Sequence, residues 1–180
     1  MSMDGKHRSF QEQVEKQPDY RYDVRNEIII NNDTMIFEEE YNVKVLMLNG
    51  SAKANGNTYA SLLEVGRQLE KEGIEYEIFQ MGGEPVRDCL GCGQCTENGC
   101  VFADDKVNEF VAKAKEADGF VFGTPVYYAH PSGRVMSFLD RAFYSSGSAA
   151  FAFKPGASVA VARRGGTSAS FDAMNKYFGI

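Results

Sequence analysis

The stretch VKVLMLNGSAKANGNT, residues 43–58, decides the fold because an apolar run leads directly into a turn of small polar residues. The first half is apolar at nearly every position, which is typical of a parallel strand buried on both faces. The second half combines turn glycines with hydrogen-bonding side chains, namely Gly50, Ser51, Lys53, Gly56, Asn57 and Thr58. With the positive end of the helix expected next, these groups suit a phosphate monoester.

The glycine spacing separates this loop from two other phosphate-binding motifs. A dinucleotide fingerprint requires G-x-G-x-x-G, and a P-loop requires G-x-x-x-x-G-K followed by Ser or Thr. Here Gly56 is followed by Asn57 and Thr58, so neither motif fits. The remaining alternative is an ordinary connection in which Gly50 relieves strain and Asn57 or Thr58 caps the helix.

Composition excludes several classes of protein. A chain of 180 residues with 43% hydrophobic and 12% aromatic residues is expected to form one globular domain. A net charge of −6 argues against a nucleic-acid-binding surface. No segment reaches the roughly 18 apolar residues of a membrane span, and residues 1–8 lack the apolar core of a secretory signal. We therefore expect a cytoplasmic protein with neither a nucleic-acid nor a membrane partner.

Residues 1–42 differ from the rest of the chain and are expected to form a polar N-terminal arm. Positions up to about 26 carry few apolar anchors. Two short β-prone runs follow at 28–30 and 35–37, and the turn residues at 31–34 join them. This pattern predicts a short hairpin between residues 27 and 40.

Strands and amphipathic helices alternate from Val43 onward. Strands are predicted at 43–49, 74–80, 119–124 and 157–162. Helices are predicted after Gly56, from Asp104 or Asp105, from Pro131 and Ser132, and over a last segment that bears Phe171, Met174 and Phe178. The alternating residues 74–80 indicate an edge strand. Such alternation predicts an α/β doubly wound parallel sheet, whose ligands bind at the carboxyl ends of the strands. Every unusual cluster falls on a loop at those ends, at 49–58, 82–104, 124–132 or 163–167.

Three of these loops resemble those of the NADPH-dependent FMN reductase family, which has the flavodoxin-like fold. Residues 48–58 are similar to the family's phosphate loop, Thr124-Pro125-Val126-Tyr127-Tyr128 to its flavin-ring loop, and residues 162–167 to its loop after the fourth strand. The resemblance covers residues 43–180. It implies non-covalently bound FMN, NADPH or NADH as the hydride donor, a small-molecule substrate, and a homodimer or higher homo-oligomer.

The resemblance also implies roles for individual residues. The phosphate would be held by Ser51, Lys53, Gly56, Asn57 and Thr58; the ring would face Pro125, Val126, Tyr127 and Tyr128; its other edge would lie along Arg163, Gly165 and Gly166. No catalytic side chain is expected, because the flavin itself accepts the hydride. His130 either contacts cofactor or substrate or is a polar loop residue. Arg163 and Arg164 either attract the extra phosphate of NADPH or are simply exposed.

The chain departs from the family pattern in two places. Family members have five parallel strands, whereas only four are predicted before Ile180, so we expect the fifth to be missing through C-terminal truncation. The fourth strand would then be an exposed edge, unless the hairpin at 27–40 or a partner chain covers it. The other departure is the N-terminal arm, because the phosphate-loop strand of the family begins near the start of the chain.

The four cysteines fall within residues 89–100, here called the cysteine loop, as C-x2-C-x2-C-x4-C at Cys89, Cys92, Cys95 and Cys100. In a reducing compartment, such clusters are more often metal ligands or redox groups than disulfides. This spacing suits an iron–sulfur cluster, and the loop's glycines permit tight turns. The motif resembles that of the iron–sulfur flavoproteins, which implies a 4Fe–4S cluster. Zinc, or free cysteines without metal, are the alternatives.

The sequence therefore predicts an FMN-dependent oxidoreductase that accepts hydride from NAD(P)H and reduces a small acceptor such as free flavin or a quinone. The alternative is a non-enzymatic carrier, in which FMN and an iron–sulfur cluster exchange electrons with a protein partner. A redox- or metal-sensing module, responding through the cysteines without flavin, is a third hypothesis.

Overall fold

The computed structural model describes residues 42–146 and 150–179. Their elements follow in the order β1 (Lys44–Asn49), α1 (Asn57–Lys71), β2 (Glu75–Gln80), α2 (Val107–Glu116), β3 (Gly119–Tyr127), β4 (His130–Pro131), α3 (Gly133–Ser146), β5 (Gly156–Val161), α4 (Thr167–Asn175) and a 3-10 turn at Lys176–Phe178. None of these helices is long and apolar enough to cross a membrane. The hairpin predicted between residues 27 and 40 lies outside the described residues.

The four long strands form a parallel sheet in the order β2-β1-β3-β5. This arrangement confirms the predicted doubly wound fold, with β2 at one edge. The short β4 pairs antiparallel with the end of β3. Pro131 was expected to open a helix, but it belongs to β4, and α3 begins at Gly133. The difference arises because Pro131 pairs with Val126 before the chain turns into the helix.

Helices cover both faces of the sheet, which explains why its central strands are apolar throughout. Leu46 and Leu48 point into a large core with α2 and α3, whereas Met47 points to a smaller core with α1. The same division holds in β3, where Phe122 joins the large core and Val121 the smaller one. Because side chains alternate along these strands, one set packs in the large core and the other in the smaller core, and neither set faces solvent.

The edge strand β2 is also covered on both faces, which corrects the expectation of a simple inward and outward alternation. Phe79 is 4% exposed and belongs to the large core. Tyr76 packs in the smaller core, so closely that a Cβ atom on Gly66 would lie 2.4 Å from its ring. Glu77 is held in ion pairs with Lys44 and Lys113.

Strand β5 lies at the other end of the path of parallel strands. It pairs with β3, and within residues 42–146 and 150–179 no strand pairs with its outer side. Its residues are exposed or half-buried, unlike those of β1 and β3. Four parallel strands therefore occur in this part of the chain, as predicted, and β5 presents an open edge there.

Candidate functional site

Three predicted site loops start side by side at one edge of the sheet. They follow β1, β3 and β5, which are neighbours, and all three strands run in the same direction. Asn49, at the end of β1, is in register with Gly123 of β3, and Val161, at the end of β5, is in register with Pro125. We call them the phosphate loop (residues 50–56), the tyrosine turn (residues 127–130) and the glycine turn (residues 163–166).

Hydrogen bonds from two side chains at the strand ends, Asn49 and Gln80, hold the backbone of the phosphate loop, and sequence reasoning missed both. Asn49 is fully buried; its Nδ2 donates to Oε1 of Gln80, and its Oδ1 accepts the Ser51 N–H at 3.2 Å. Nε2 of Gln80 donates to the Ser51 carbonyl at 2.8 Å. The Ser51 Oγ in turn accepts the Lys53 N–H at 3.1 Å. The available signal was that Asn49 and Gln80 are polar residues ending two neighbouring buried strands in register.

Glycines bring the phosphate loop against β3 and α3. The Gly50 N–H donates to the Gly123 carbonyl at 2.9 Å, and a Cβ atom on Gly50 would lie 2.2 Å from Cγ2 of Val135. A Cβ atom on Gly123 would meet Cγ2 of Thr58 at 3.0 Å. The first turn of α1 therefore rests directly on the sheet, and Thr58 is only 3% exposed.

The N-terminus of α1 lies open at the end of the phosphate loop. Gly56 is its N-cap residue, no side chain in the described part of the chain caps it, and its first turn carries no acidic residue. Lys53 and Asn57 are exposed beside this terminus, whereas Ser51 is buried. The first N–H groups of a helix carry its positive end, so this geometry suits an anion.

The tyrosine turn is a tight connection between β3 and β4. Tyr127 pairs with His130, and the two residues between them have positive φ, 52° at Tyr128 and 60° at Ala129. Left-handed conformations cost a non-glycine residue about 1–2 kcal/mol. The turn nevertheless presents Tyr128 fully to solvent and Tyr127 at 60% exposure, while Pro125 and Val126 are half-buried. Backbone strain of this kind is typical of functional sites.

The glycine turn touches the tyrosine turn. Gly166 has φ of 92°, and a Cβ atom there would lie 2.4 Å from the Cα atom of Ala129. Arg163, Arg164 and Gly165, the other residues of the glycine turn, are exposed. The structure thus brings the two predicted ring-binding loops together, and His130 is exposed next to them.

The cysteine loop lies in the long connection between β2 and α2. All four cysteines are free thiols, Cys92 exposed and the other three half-buried. Gly91, Gly93 and Gly99 have positive φ values. Burial, followed by repulsion from Cys100, Cys92 and Cys89, raises the pKa of the Cys95 thiol. In the described residues, however, no three His, Cys, Asp or Glu side chains are arranged to hold a metal ion.

Arg141 and Asn108 fasten the cysteine loop to the helices. The Asn108 side chain accepts the Cys100 N–H and donates to the Cys100 carbonyl, both at 2.8 Å. Arg141 is 1% exposed; it donates to the Phe102 carbonyl at 2.6 Å and forms an ion pair with Asp105. Although burial opposes its charge, hydrogen bonds to Cys100 and Asp105 raise the pKa of Arg141. Sequence reasoning missed both residues.

A cavity of about 480 Å³ adjoins the same connection. It is lined by residues 81–86, residues 103–106 and Phe138. None of the residues predicted to bind FMN lines it. The predicted flavin residues instead form an open surface at the other loops.

A flavodoxin-like sheet with these three loops defines a class of nucleotide-binding α/β protein. The sequence profile of a family described as NADPH-dependent FMN reductase matches residues 43–180. The chain therefore belongs to the NADPH-dependent FMN reductase family, as its loops predicted.

Curated relatives include several iron–sulfur flavoproteins. One from Methanocaldococcus jannaschii is 33% identical over 139 residues, covering 76% of this chain and 72% of the relative. One from Archaeoglobus fulgidus is 33% identical over 99 residues, covering 55% and 48%. An FMN-dependent NADPH-azoreductase from Staphylococcus saprophyticus is 30% identical over 100 residues, covering 54% and 51%. The matches to these last two span about half of each relative's length.

Solved structures share the fold at lower sequence identity. The NAD(P)H:(acceptor) oxidoreductase FerB from Paracoccus denitrificans has a TM-score of 0.55 at 17% identity, covering 77% of this chain and 71% of that one. An NAD(P)H:quinone oxidoreductase from Methanothermobacter marburgensis has a TM-score of 0.54 at 12% identity, covering 77% and 73%. These likenesses confirm the flavodoxin-like architecture.

Proposed function

We propose that the protein is an FMN-dependent oxidoreductase that takes hydride from NADPH or NADH and reduces a small acceptor, such as free flavin or a quinone. The observation that carries this proposal is the meeting of three loops at one sheet edge, two of them in direct contact through Gly166 and Ala129. Sheets of this kind bind ligands in that position. FMN would supply the ring that accepts the hydride, so the protein's task is binding and orientation.

The phosphate loop fits the phosphate of FMN. The uncapped N-terminus of α1 would offer N–H groups at Asn57 and Thr58, and the exposed Lys53 would add a positive charge. Asn49 and Gln80 hold the loop in shape from below. These hydrogen bonds restrict the loop and so reduce the ordering entropy that opposes binding.

The tyrosine and glycine turns fit the flavin ring. Tyr127 and Tyr128 present aromatic surface at the site edge, where an isoalloxazine can stack or lie alongside. Arg163, Gly165 and Gly166 line the facing turn, and the exposed Arg163 and Arg164 would attract the phosphate groups of a nicotinamide cofactor.

We also propose that Cys89, Cys92, Cys95 and Cys100 hold a 4Fe–4S cluster, which would supply single-electron transfer. Four free thiols in one glycine-rich loop are the right donor chemistry. The buried Nε of Arg141 has no acceptor in the described residues, and interaction with Cys100 raises the pKa of this guanidinium. In the described residues no three of these thiols are arranged around a metal, so binding a cluster would require the thiols to move closer together.

Two further expectations concern the protein's setting. Free cysteines at four positions favour the reducing cytoplasm. A homodimer or higher homo-oligomer is proposed from the resemblance to the NADPH-dependent FMN reductase family.

The phosphate assignment is tested by titrating the full chain with FMN and with riboflavin, following flavin fluorescence. Lys53→Ala should weaken FMN binding about tenfold, the value of one charge-assisted hydrogen bond, and leave riboflavin unchanged. Lys71→Ala, at the opposite end of α1, serves as the matched control. Equal effects on both flavins would refute the assignment.

A non-enzymatic electron carrier is the second candidate, favoured by the relatives named iron–sulfur flavoproteins. Anaerobic stopped-flow separates the two hypotheses. The reductase is supported if NADPH bleaches the flavin within one catalytic turnover and if NADPH is then oxidised steadily when a quinone is added. Reduction by a ferredoxin but not by NADPH or NADH supports the carrier.

A further inference from the structure

The cavity of about 480 Å³ in the connection between β2 and α2 has an apolar base. Met81, at 3% exposure, and the fully buried Phe138 line it, and the half-buried Val86 adds further apolar surface. Thioether and phenyl groups both make favourable contacts with aromatic rings. The volume falls within the range of about 300–1,000 Å³ that is usual for small-molecule sites. The cavity therefore suits a small ligand with an aromatic body.

Two arginines of α3 hold residues that line this cavity. Nη2 of Arg134 donates to the carbonyls of Gly82 at 2.7 Å and Glu84 at 2.5 Å. Arg141, which is 1% exposed, forms an ion pair with Asp105. The two arginines lie seven positions apart, about two helical turns, so they share one face of α3. A single helix face thus fixes both stretches of chain that enclose the cavity.

The charges around the cavity cancel. Four charged residues line it, namely Glu84, Asp104, Asp105 and Lys106. Two of the acids are already paired, Asp104 with Arg87 at 3.5 Å and Asp105 with Arg141. The other two lining residues have opposite charges, so neither sign is in excess. Because a charge taken out of water needs a compensating partner, this rim favours an uncharged ligand.

Lys106 supplies a hydrogen-bond donor among these lining residues. Its Nζ donates to the Gln80 carbonyl at 3.1 Å and lies 5.8 Å from the centre of the Phe79 ring. An ammonium group has more donors than this one bond uses. A ligand with one acceptor group can therefore be oriented by Lys106 while its ring packs on the apolar base.

We propose that this cavity is a second small-molecule site, which takes an uncharged aromatic molecule bearing a carbonyl group. The ring packs against Met81 and Phe138, and the carbonyl oxygen accepts a hydrogen bond from Lys106. None of the residues predicted to bind FMN lines the cavity. The inference therefore goes beyond the proposed reductase activity and does not depend on it.

The test is an NMR titration of the full chain labelled with nitrogen-15, carried out with and without FMN. Three probes share one bicyclic ring: 1-indanone carries a carbonyl, indane carries no acceptor, and indane-1-carboxylate is an anion. We expect 1-indanone to shift the amide signals of Gly82, Gly83 and Lys106 and to leave those of the tyrosine and glycine turns in place. Indane should bind about tenfold more weakly, because it cannot accept the hydrogen bond. The carboxylate should also bind more weakly than 1-indanone.

Two lysine variants test the assignment of the donor. Lys106→Met keeps the apolar stem and removes the ammonium group, so it should weaken 1-indanone binding about tenfold and leave indane binding unchanged. Lys115→Met is the matched control, because Lys115 is also exposed on the surface near α2 and its Nζ also donates to a backbone carbonyl, that of Glu97 at 3.0 Å. It does not line the cavity, and its loss should change neither affinity.

Four results would each overturn the inference. They are shifts confined to the tyrosine or glycine turn, no shifts up to the solubility limit of 1-indanone, equal losses of affinity in the two lysine variants, and tighter binding of the carboxylate than of the ketone. A chain that binds 1-indanone in the cavity but does not bind FMN would refute the proposed function and support the second site.

Discussion

Gly166 and Ala129 approach so closely that a Cβ atom on Gly166 would lie 2.4 Å from the Cα atom of Ala129. Gly166 also has φ of 92°, which disfavours any side chain. We expect Gly166→Ala to push the tyrosine turn and the glycine turn apart. Stability should fall by about 2 kcal/mol from the clash and the backbone strain together, and FMN affinity should fall with it. Urea unfolding and flavin fluorescence measure the two effects.

Gly133 supplies the control for this substitution. It begins α3, its φ is not positive, and no neighbouring atom of the described chain lies within 4 Å of the place a Cβ atom would take. Gly133→Ala should therefore leave both stability and FMN affinity close to wild type. If the two alanine variants lose FMN to the same degree, contact between the turns is not what shapes the site.

Ala129 carries strain that a glycine would relieve. Its φ of 60° is left-handed, which costs an alanine about 1–2 kcal/mol. Replacement by glycine removes that cost, but the greater freedom of glycine in the unfolded chain offsets about 0.5–1 kcal/mol of the gain. Ala129→Gly should accordingly stabilise the fold by about 0.5–1 kcal/mol in urea unfolding. Ala157→Gly, in β5, should have the opposite sign, because its φ is not positive. Destabilisation by both would show that the turn is relaxed.

Asn49 is expected to be the most sensitive polar residue beneath the phosphate loop. Asn49→Ala removes the acceptor of the Ser51 N–H and the donor to Gln80, both in a buried setting. The loss should reach about 2 kcal/mol of stability, and FMN affinity should fall as the loop loosens. Asn55→Ala, exposed in the same loop, is the control and should leave stability unchanged. Comparable losses in both variants would exclude a special role for the buried amide.

Most of the fold was predictable because its pattern is local. The apolar run at 43–49 must be covered on both faces, and the apolar stripe of the helix after Gly56 must pack against a sheet. Alternation of such strands and helices permits few topologies. The three site loops followed from the same logic, since parallel strands bring their carboxyl ends to one edge.

The details that shape the site were not predictable, because they depend on distant partners. Arg141 resembles any helix-surface arginine in sequence, and only the return of residues 87–105 across α3 buries it. The left-handed turn at Tyr128 and Ala129 contains neither glycine nor asparagine, the residues that predict such turns. The contact of Asn49 with Gln80 requires the register of β1 against β2, which residue spacing does not give.

Glu77 makes the stability of the sheet edge dependent on pH. It accepts hydrogen bonds from Lys113 at 2.8 Å and Lys44 at 3.1 Å. The Lys113 bond lowers the pKa of Glu77 from its usual 4.5; burial opposes this, and Lys44 adds to it. A carboxyl with a lower pKa in the folded state stabilises the fold fully above the unfolded value, and this contribution is lost as pH falls through the folded value.

Glu77→Gln should therefore lower the free energy of unfolding by about 1 kcal/mol at neutral pH, the upper range for a partly exposed ion pair. The difference from wild type should shrink steadily below pH 4.5, the usual pKa of the group. Urea unfolding across that range measures it, with Glu75→Gln, exposed on the same strand, as the control. A constant difference at all pH values would mean that Glu77 acts through packing, because charge pairing must vanish once the carboxyl is protonated.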